Sequence, residues 1–428
     1  MKKLLTVLLA VMIAFTLCAC GGGDQGGDTP AEKTKVTIWG TWTDAQQEFL
    51  IKAAADFTAS QDLYEVVYEG QEYKGFSDTC YQAVMAGAGP DIIIDYASTA
   101  ATYQAEGKVA NLANYLSAET LAQLSDGARE EATSFVDGGT YVYPMILSGP
   151  VIWYNPEILE AAGVAVPTTW DEMYEVCKTI SSTVTVVTDT EGKKTYVTDG
   201  SGSHVYGFAS DSHTDFAQTL AMQSGVGVYD VKNQKCLFND DKFAAILTKY
   251  QEGVVGEYIM SGPTGDYLSN DFNAGILAMY FGSVAGAPYL KETHKAAAVF
   301  QTEGGIAWTP AWNRGLMIFN YEDEARIKGA AAFIEYFVGA ENNLAWCTAC
   351  NYQSCLNWTL ALPEYKTFLE SNESLMALQP ETAGSFAAVT DISYVRTALK
   401  NVVNAISAGA DVKTTLQEQD DYVMGEVK

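Results

Sequence analysis

The residues of this chain with chemistry to offer are thiols, carboxylates and aromatic rings, and the three groups point in different directions. Cys347, Cys350 and Cys355 combine a C-x-x-C spacing with a third thiol, which suits a thiolate metal site or a redox pair. A closed thiolate site needs a fourth ligand, and none stands nearby in sequence, so burial or cross-linking is the expected role. The three histidines, His204, His213 and His294, have no metal-site spacing. Asp211 and Asp215 could touch a calcium ion, although an acidic surface loop is the simpler reading. No H-E-x-x-H, no phosphate loop ending in Gly-Lys-Ser/Thr, no G-x-S-x-G elbow and no dinucleotide fingerprint occurs. The chain has 53 acidic residues, so carboxylate pairs of the kind used in glycoside hydrolysis are always available, and nothing selects one pair. No metal and no cofactor is expected.

What remains is aromatic. Trp42, Trp153, Trp170, Trp312, Tyr352 and Trp358 fall near predicted loop ends. A flat ring with a polar edge suits the face of a sugar or polyol, where C–H groups stack and hydroxyls take hydrogen bonds. Any one such ring is more often core than platform.

The elements that must position these rings alternate. Val36–Trp39 is a strand, Ala45–Ser60 a helix with Phe49, Leu50, Ala53 and Phe57 on one face, and Tyr64–Tyr68 a second strand. Phe76–Ala86 is helical, and Gly87-Ala88-Gly89-Pro90 stops it before Asp91–Tyr96, a continuous apolar strand of the parallel-sheet kind. Such alternation predicts an α/β sheet, whose ligands sit beyond the carboxyl ends of the strands. Trp42 and the Tyr96–Thr99 segment fall at those ends. Between Tyr141 and Trp153 two short buried strands meet at Ser148-Gly149-Pro150, as a chain crossing between two lobes would. Two capped helices follow, one behind Asn155-Pro156 and one behind Thr169 with Asp171 and Glu172 in its first turn. Two alternating runs around Thr190-Glu191-Gly192 predict an edge hairpin, and Gly200–Ser203 reads as linker.

The ends and the charge bound the setting. Met1-Lys2-Lys3, an uncharged run to Ala19 and then Cys20 describe a secretory leader over residues 1–19. Leu17-Cys18-Ala19-Cys20 resembles the lipobox of bacterial lipoproteins, which makes Cys20 the expected lipidation site. Residues 20–35, rich in Gly, Asp and Thr, are then a flexible tether. The body would stand outside the cytoplasm, anchored to the outer face of the cell membrane by that lipid alone. The remaining roughly 390 residues exceed what one core serves, so two lobes are expected. With 25 basic against 53 acidic residues, a formal −28, the chain lacks the cationic patches that nucleic acid or anionic lipid requires.

In order along the chain, the lipobox, the Trp-bearing first strand, Ala88-Gly89-Pro90-Asp91-Ile92, the stretch YNPEILEAAGVAVPTTWDE, FNAGILAMYFG at 272–282, the Ala331–Glu341 helix and the Asn351–Ser354 turn resemble family 1 extracellular solute-binding proteins of ABC importers. The resemblance implies an α/β periplasmic-binding-protein-like fold, two lobes joined by a hinge with the ligand cleft between them. It divides the chain into 36–147 plus about 297–345 for the N-terminal lobe and 148–296 plus about 346–428 for the C-terminal lobe. Within the family the glycerol-3-phosphate and glycerophosphodiester binders look nearest, and their ligand positions match Ser148, Trp170, Ser283, Tyr352 and Arg396. Two departures stand out. Tyr352 follows Asn351 where the family has Gly, and a family glutamate is replaced near Ala97. With Trp42, Trp312 and Arg314 these residues complete the candidate site. The function implied is capture of a sugar, oligosaccharide or polyol, with glycerol phosphate as one candidate, by a non-enzymatic monomeric receptor that delivers it to ABC permease subunits. The rivals are a secreted glycoside hydrolase and a surface sensor without transport.

Overall fold

A computed structural model describes residues 32–135, 137–230, 233–265, 267–379, 383–384 and 393–426. The expected leader, Cys20 and most of the tether lie outside the described residues. Two sheets carry the fold. The first runs β2 (Tyr64–Gly70), β1 (Thr34–Gly40), β3 (Ile92–Asp95), then β10 (Gly315–Ile318) and β4 (Tyr143–Pro144). β1 pairs in parallel with β2 and β3, while β10 returns antiparallel to β3 and β4.

Every residue of β3 is buried, and the alternation of a strand sends its side chains to two separate cores. Ile92 and Ile94 join Val36, Ile38, Leu316 and Ile318 on the face covered by the helices Asp44–Ser60 and Glu324–Val338. Ile93 and Met317 meet Phe76, Cys80, Val84, Ala100 and Tyr103 from Phe76–Met85 and Ala97–Ala105 on the other. This is why the strand reads as an unbroken apolar run.

The second sheet is ordered β8 (Lys295–Ala297), β5 (Pro150–Tyr154), β7 (Leu277–Ser283), β6 (Tyr206–Ser210). It too is covered twice. Ile152, Phe208, Met279 and Phe281 enter the main second core, while Val151, Trp153, Ala209 and Tyr280 enter a smaller cluster with Leu375 and Leu378. The helices Ser393–Ser407 and Val412–Glu426 seal the main core through Val395, Leu399, Val402, Ile406, Leu416 and Val423. The expected hairpin forms from Thr185–Thr188 and Lys194–Val197, with Thr188 opposite Lys194. Ser203–His204 adds a third strand where a linker was expected, so only the front of that stretch is loop.

One assignment of the chain to the lobes is corrected. Trp346, Cys347, Cys350, Cys355, Leu356 and Tyr365 do not join the second lobe but pack in the first core, against Trp42, Phe337 and Tyr143. The bridges Leu124–Leu356 and Leu147–Gln353 hold this return to the first lobe.

Two passages between the lobes lie side by side. Leu147–Pro150 leads from β4 into β5, and β9 (Thr309–Pro310) with residues 311–314 leads back to β10. Trp312 N donates to Ser148 O at 2.8 Å and Met145 N to Arg314 O at 3.1 Å. β11 (Ala383–Gly384) then pairs with β9, and Ala311 N donates to Gly384 O at 2.8 Å. At Gly149 a Cβ would stand 2.7 Å from Pro310 O, so the two passages can touch only because residue 149 is glycine. Among the described residues no helix is long and apolar enough to cross a membrane.

Candidate functional site: the inter-lobe cleft

The carboxyl ends of β1, β2 and β3 in one lobe, and of β6 and β7 in the other, all point toward these passages. On the first lobe, β1 ends into Thr41-Trp42 and β3 into Asp95-Tyr96. Trp42 is buried, its ring centroid 5.2 Å from Trp346 and 6.2 Å from Tyr352. Tyr352 stacks on Trp346 at 5.8 Å and 23°. Its approach is set by Asn351, which ends the helix Ala340–Cys350 in the left-handed conformation (φ 56°) that glycine most often supplies at a helix stop.

Arg314 arrives from the second passage. Its Cζ lies 5.3 Å from the ring centroid of Trp42 and 5.3 Å from that of Tyr96, so the guanidinium is held by two ring faces. Its hydrogen bond to Thr41 Oγ1 is long, 3.4 Å. A half-buried guanidinium has five N–H donors, more than Thr41 and the Tyr96 side chain accept, which leaves donors for ligand oxygens. Beneath it Asp95 is buried and accepts from Tyr96 N at 2.9 Å and Thr99 Oγ1 at 3.2 Å. Burial pushes its carboxyl up, while those two bonds and Arg314 oppose the rise.

On the second lobe Ser283 ends β7. Its Oγ accepts from Ala285 N at 3.1 Å, and its carbonyl accepts from Trp153 Nε1 at 3.1 Å. Gly149 O accepts from Val284 N at 3.0 Å, which ties that strand end to the first passage. Asp211 follows β6; burial pushes its carboxyl up to about 6, with the Leu268 backbone N–H opposing. The residue as a whole is exposed, yet its Oδ2 faces Gly282, where a Cβ would come within 2.8 Å.

The structure therefore brings Trp42, Arg314 and Tyr352 together, with Trp312 and Ser148 hydrogen-bonded to each other by their backbones alongside. Ala97 opens the helix after Tyr96, its methyl buried. Trp170 is not a cleft wall. It is buried, its Nε1 donates to Gln223 Oε1 at 2.8 Å, and Phe208, Phe216 and Phe300 meet its ring edge to face at 5.2–6.1 Å. Arg396 pairs instead with buried Asp215 at 3.2 Å, tying the helix Ser393–Ser407 to His213–Gln223. Both residues serve the second core. The sequence reading missed Asp95, and it did not single out three exposed rings, Tyr73 (75 % exposed), Tyr267 (69 %) and Tyr289 (74 %), the last ending the 3-10 helix Val284–Tyr289. The signal that could have found them is position, since Tyr73 follows β2 and Tyr289 follows β7.

The six described cysteines are all free and buried, and among the described residues no His/Cys/Asp/Glu group is arranged to hold a metal.

Two α/β lobes around a cleft at their strand ends define a hinged ligand-binding protein. The chain belongs to the bacterial extracellular solute-binding proteins, whose family profile matches residues 40–344. The osmoprotective compounds-binding protein GgtB of Synechocystis sp. is 26 % identical over 282 residues, 65 % of this chain and 62 % of that protein. The maltodextrin-binding protein MdxE of Bacillus subtilis is 22 % identical over 81 % of this chain and 79 % of its own. The crystal structure of the cyclic alpha-maltosyl-1,6-maltose binding protein from Arthrobacter globiformis superposes with a TM-score of 0.78 at 19 % identity, covering 92 % of this chain and 99 % of that one.

Proposed function

We propose that this protein is the receptor of an ABC importer and captures an oligosaccharide, of the maltodextrin kind, in the cleft between its lobes. The observation that carries the reading is Arg314, placed over the rings of Trp42 and Tyr96 with more donors than its protein neighbours accept, beside rings that suit a pyranose face. The names of the related binding proteins support the ligand class. Arg396, the residue matched to a phosphate partner, is occupied by Asp215, and this weighs toward neutral sugar over glycerol phosphate.

No bond is made or broken in this role. Contacts to both lobes favour the closed form, which the permease recognises. Lipidation at Cys20 would tether the body to the outer face of the membrane. The decisive experiment is calorimetric titration with maltose to maltotetraose, trehalose and glycerol 3-phosphate. Maltotriose or maltotetraose should bind without heat of hydrolysis and leave the sugar unchanged by mass spectrometry. Release of shortened sugar would establish a hydrolase instead. Replacing Cys20 by Ser should move the protein from the membrane fraction to the medium.

A further inference from the structure

Behind Arg314 lies a carboxyl that the cleft itself does not touch. Glu131, on the helix Asp126–Ala132 of the first lobe, is 5 % exposed. Its partner is Asn313, 2 % exposed, which sits on the second passage between Trp312 and Arg314. Asn313 Nδ2 donates to Glu131 Oε2 at 2.6 Å. The other half of the amide is unsatisfied: Asn313 Oδ1 is buried with no hydrogen-bond partner among the described residues. A buried carboxylate beside one neutral donor is poorly compensated, and so is a buried amide oxygen without a donor. One proton answers both needs, because a carboxylic acid can give its hydrogen to the amide oxygen while accepting from the amide nitrogen.

We propose that Glu131 is held as the neutral acid and, through a reciprocal pair of hydrogen bonds with Asn313, fixes the stretch of backbone from which Arg314 presents its guanidinium to the cleft. Glu131 is thus a positioning residue. Its effect on ligand rests on the cleft reading, whereas its protonation does not. Burial pushes its carboxyl up to about 8, and the Asn313 hydrogen bond opposes this only in part. Among the described residues, the groups facing it from neighbouring elements supply no countercharge. The Cys355 thiol is itself pushed far up by burial, and Tyr143 on β4 donates its hydroxyl to Thr120 O instead. On its own helix Arg129 turns to the carbonyls of Ala122 and Leu124, and Glu130 is exposed. Because the folded carboxyl titrates above the ordinary 4.5, the native state keeps a proton that the unfolded chain loses. The contribution to stability is full at acid pH and is lost as pH rises from about 4.5 to about 8.

The test is Glu131→Gln, whose amide keeps both hydrogen bonds and cannot ionise. Melting temperature measured across that range should fall for the wild type relative to E131Q as pH rises, and at any one alkaline pH the amides of residues 313–315 should exchange faster in the wild type. Parallel melting curves with equal exchange would overturn the proposal. Should E131Q fail to fold, ¹³C-glutamate labelling of the wild type gives the same answer: one carboxyl must still be protonated at neutral pH, and ordinary titration of every glutamate would sink the idea. With maltotriose as the probe at slightly acid pH, E131Q should bind within about twofold of the wild type and Glu131→Ala at least about tenfold more weakly. Unchanged affinity in Glu131→Ala refutes the positioning role. If maltotriose binds to neither variant nor wild type, the ligand class fails while the stability and exchange readouts still decide the protonation.

Discussion

At the scale of single residues, the proposed binding chemistry centres on Arg314. Its fork is worth most where ring faces have already removed its freedom, so replacing it by Met should weaken oligosaccharide binding by at least about tenfold, some 1.4 kcal/mol or more. Stability should fall by less, about 1 kcal/mol, as the ring contacts to Trp42 and Tyr96 and the countercharge to buried Asp95 are lost. Calorimetry and a thermal melt on the same sample separate the two effects, and equal losses in both would make Arg314 structural. Trp170→Leu should do the reverse, lowering stability by roughly 2–4 kcal/mol through a lost buried ring and one lost hydrogen bond to Gln223 Oε1, which Thr302 N still serves, with affinity per folded molecule preserved. The contrast marks how far single residues could be read from sequence. That Trp42, Arg314 and Tyr352 lie together is legible because they stand beside strand ends or a helix stop. The role of Trp170 is not, because it depends on Gln223, Phe208 and Phe300, which reach the ring from other parts of the second lobe. The pairing of Arg396 with Asp215, across 181 residues of chain, was equally invisible.

At the scale of elements, local chemistry is legible in the sequence and long returns are not. The Thr169 capping box forms as Thr-Thr-Trp-Asp-Glu suggests, with the Thr169 side chain accepting from Glu172 N and Glu172 reaching back to Thr169 N. The alternating and continuous apolar strands take their expected faces. The chain from Trp346 to Tyr365 belongs to the first lobe and not the second, because an apolar face does not say which of two apolar cores it will meet. The crossover at Ser148-Gly149 is the backbone break that its residues indicate, and the structure adds its cause in the close approach to Pro310 O. Gly149→Ala should force the two passages apart and cost about 1–3 kcal/mol, measured by denaturant unfolding. Since backbone cannot swing aside as a side chain can, a neutral result would show that the passages separate freely.

For the whole molecule, closure of two lobes on one ligand should be visible as a smaller radius of gyration in solution scattering when maltotetraose is added. A hundredfold excess over Kd should stabilise the protein by about 2.7 kcal/mol. Binding of a neutral sugar should be nearly indifferent to salt even though the chain carries a formal −28, because screening acts on charge pairs that such a ligand does not form. A steep loss of affinity with salt would point to an anionic ligand at Arg314.

The distribution of the buried thiols allows one more measurement. Cys347, Cys350 and Cys355 lie in the first core, Cys80 on the opposite face of the same sheet, and Cys177 and Cys236 in the second core. Burial raises the pKa of all six and hides them from reagents, so a thiol becomes alkylatable only when the structure around it opens. The native chain therefore carries its own clock for each half. Brief exposure to iodoacetamide at rising denaturant, read peptide by peptide, should show whether the halves come apart as one unit or in sequence, and which one holds longer.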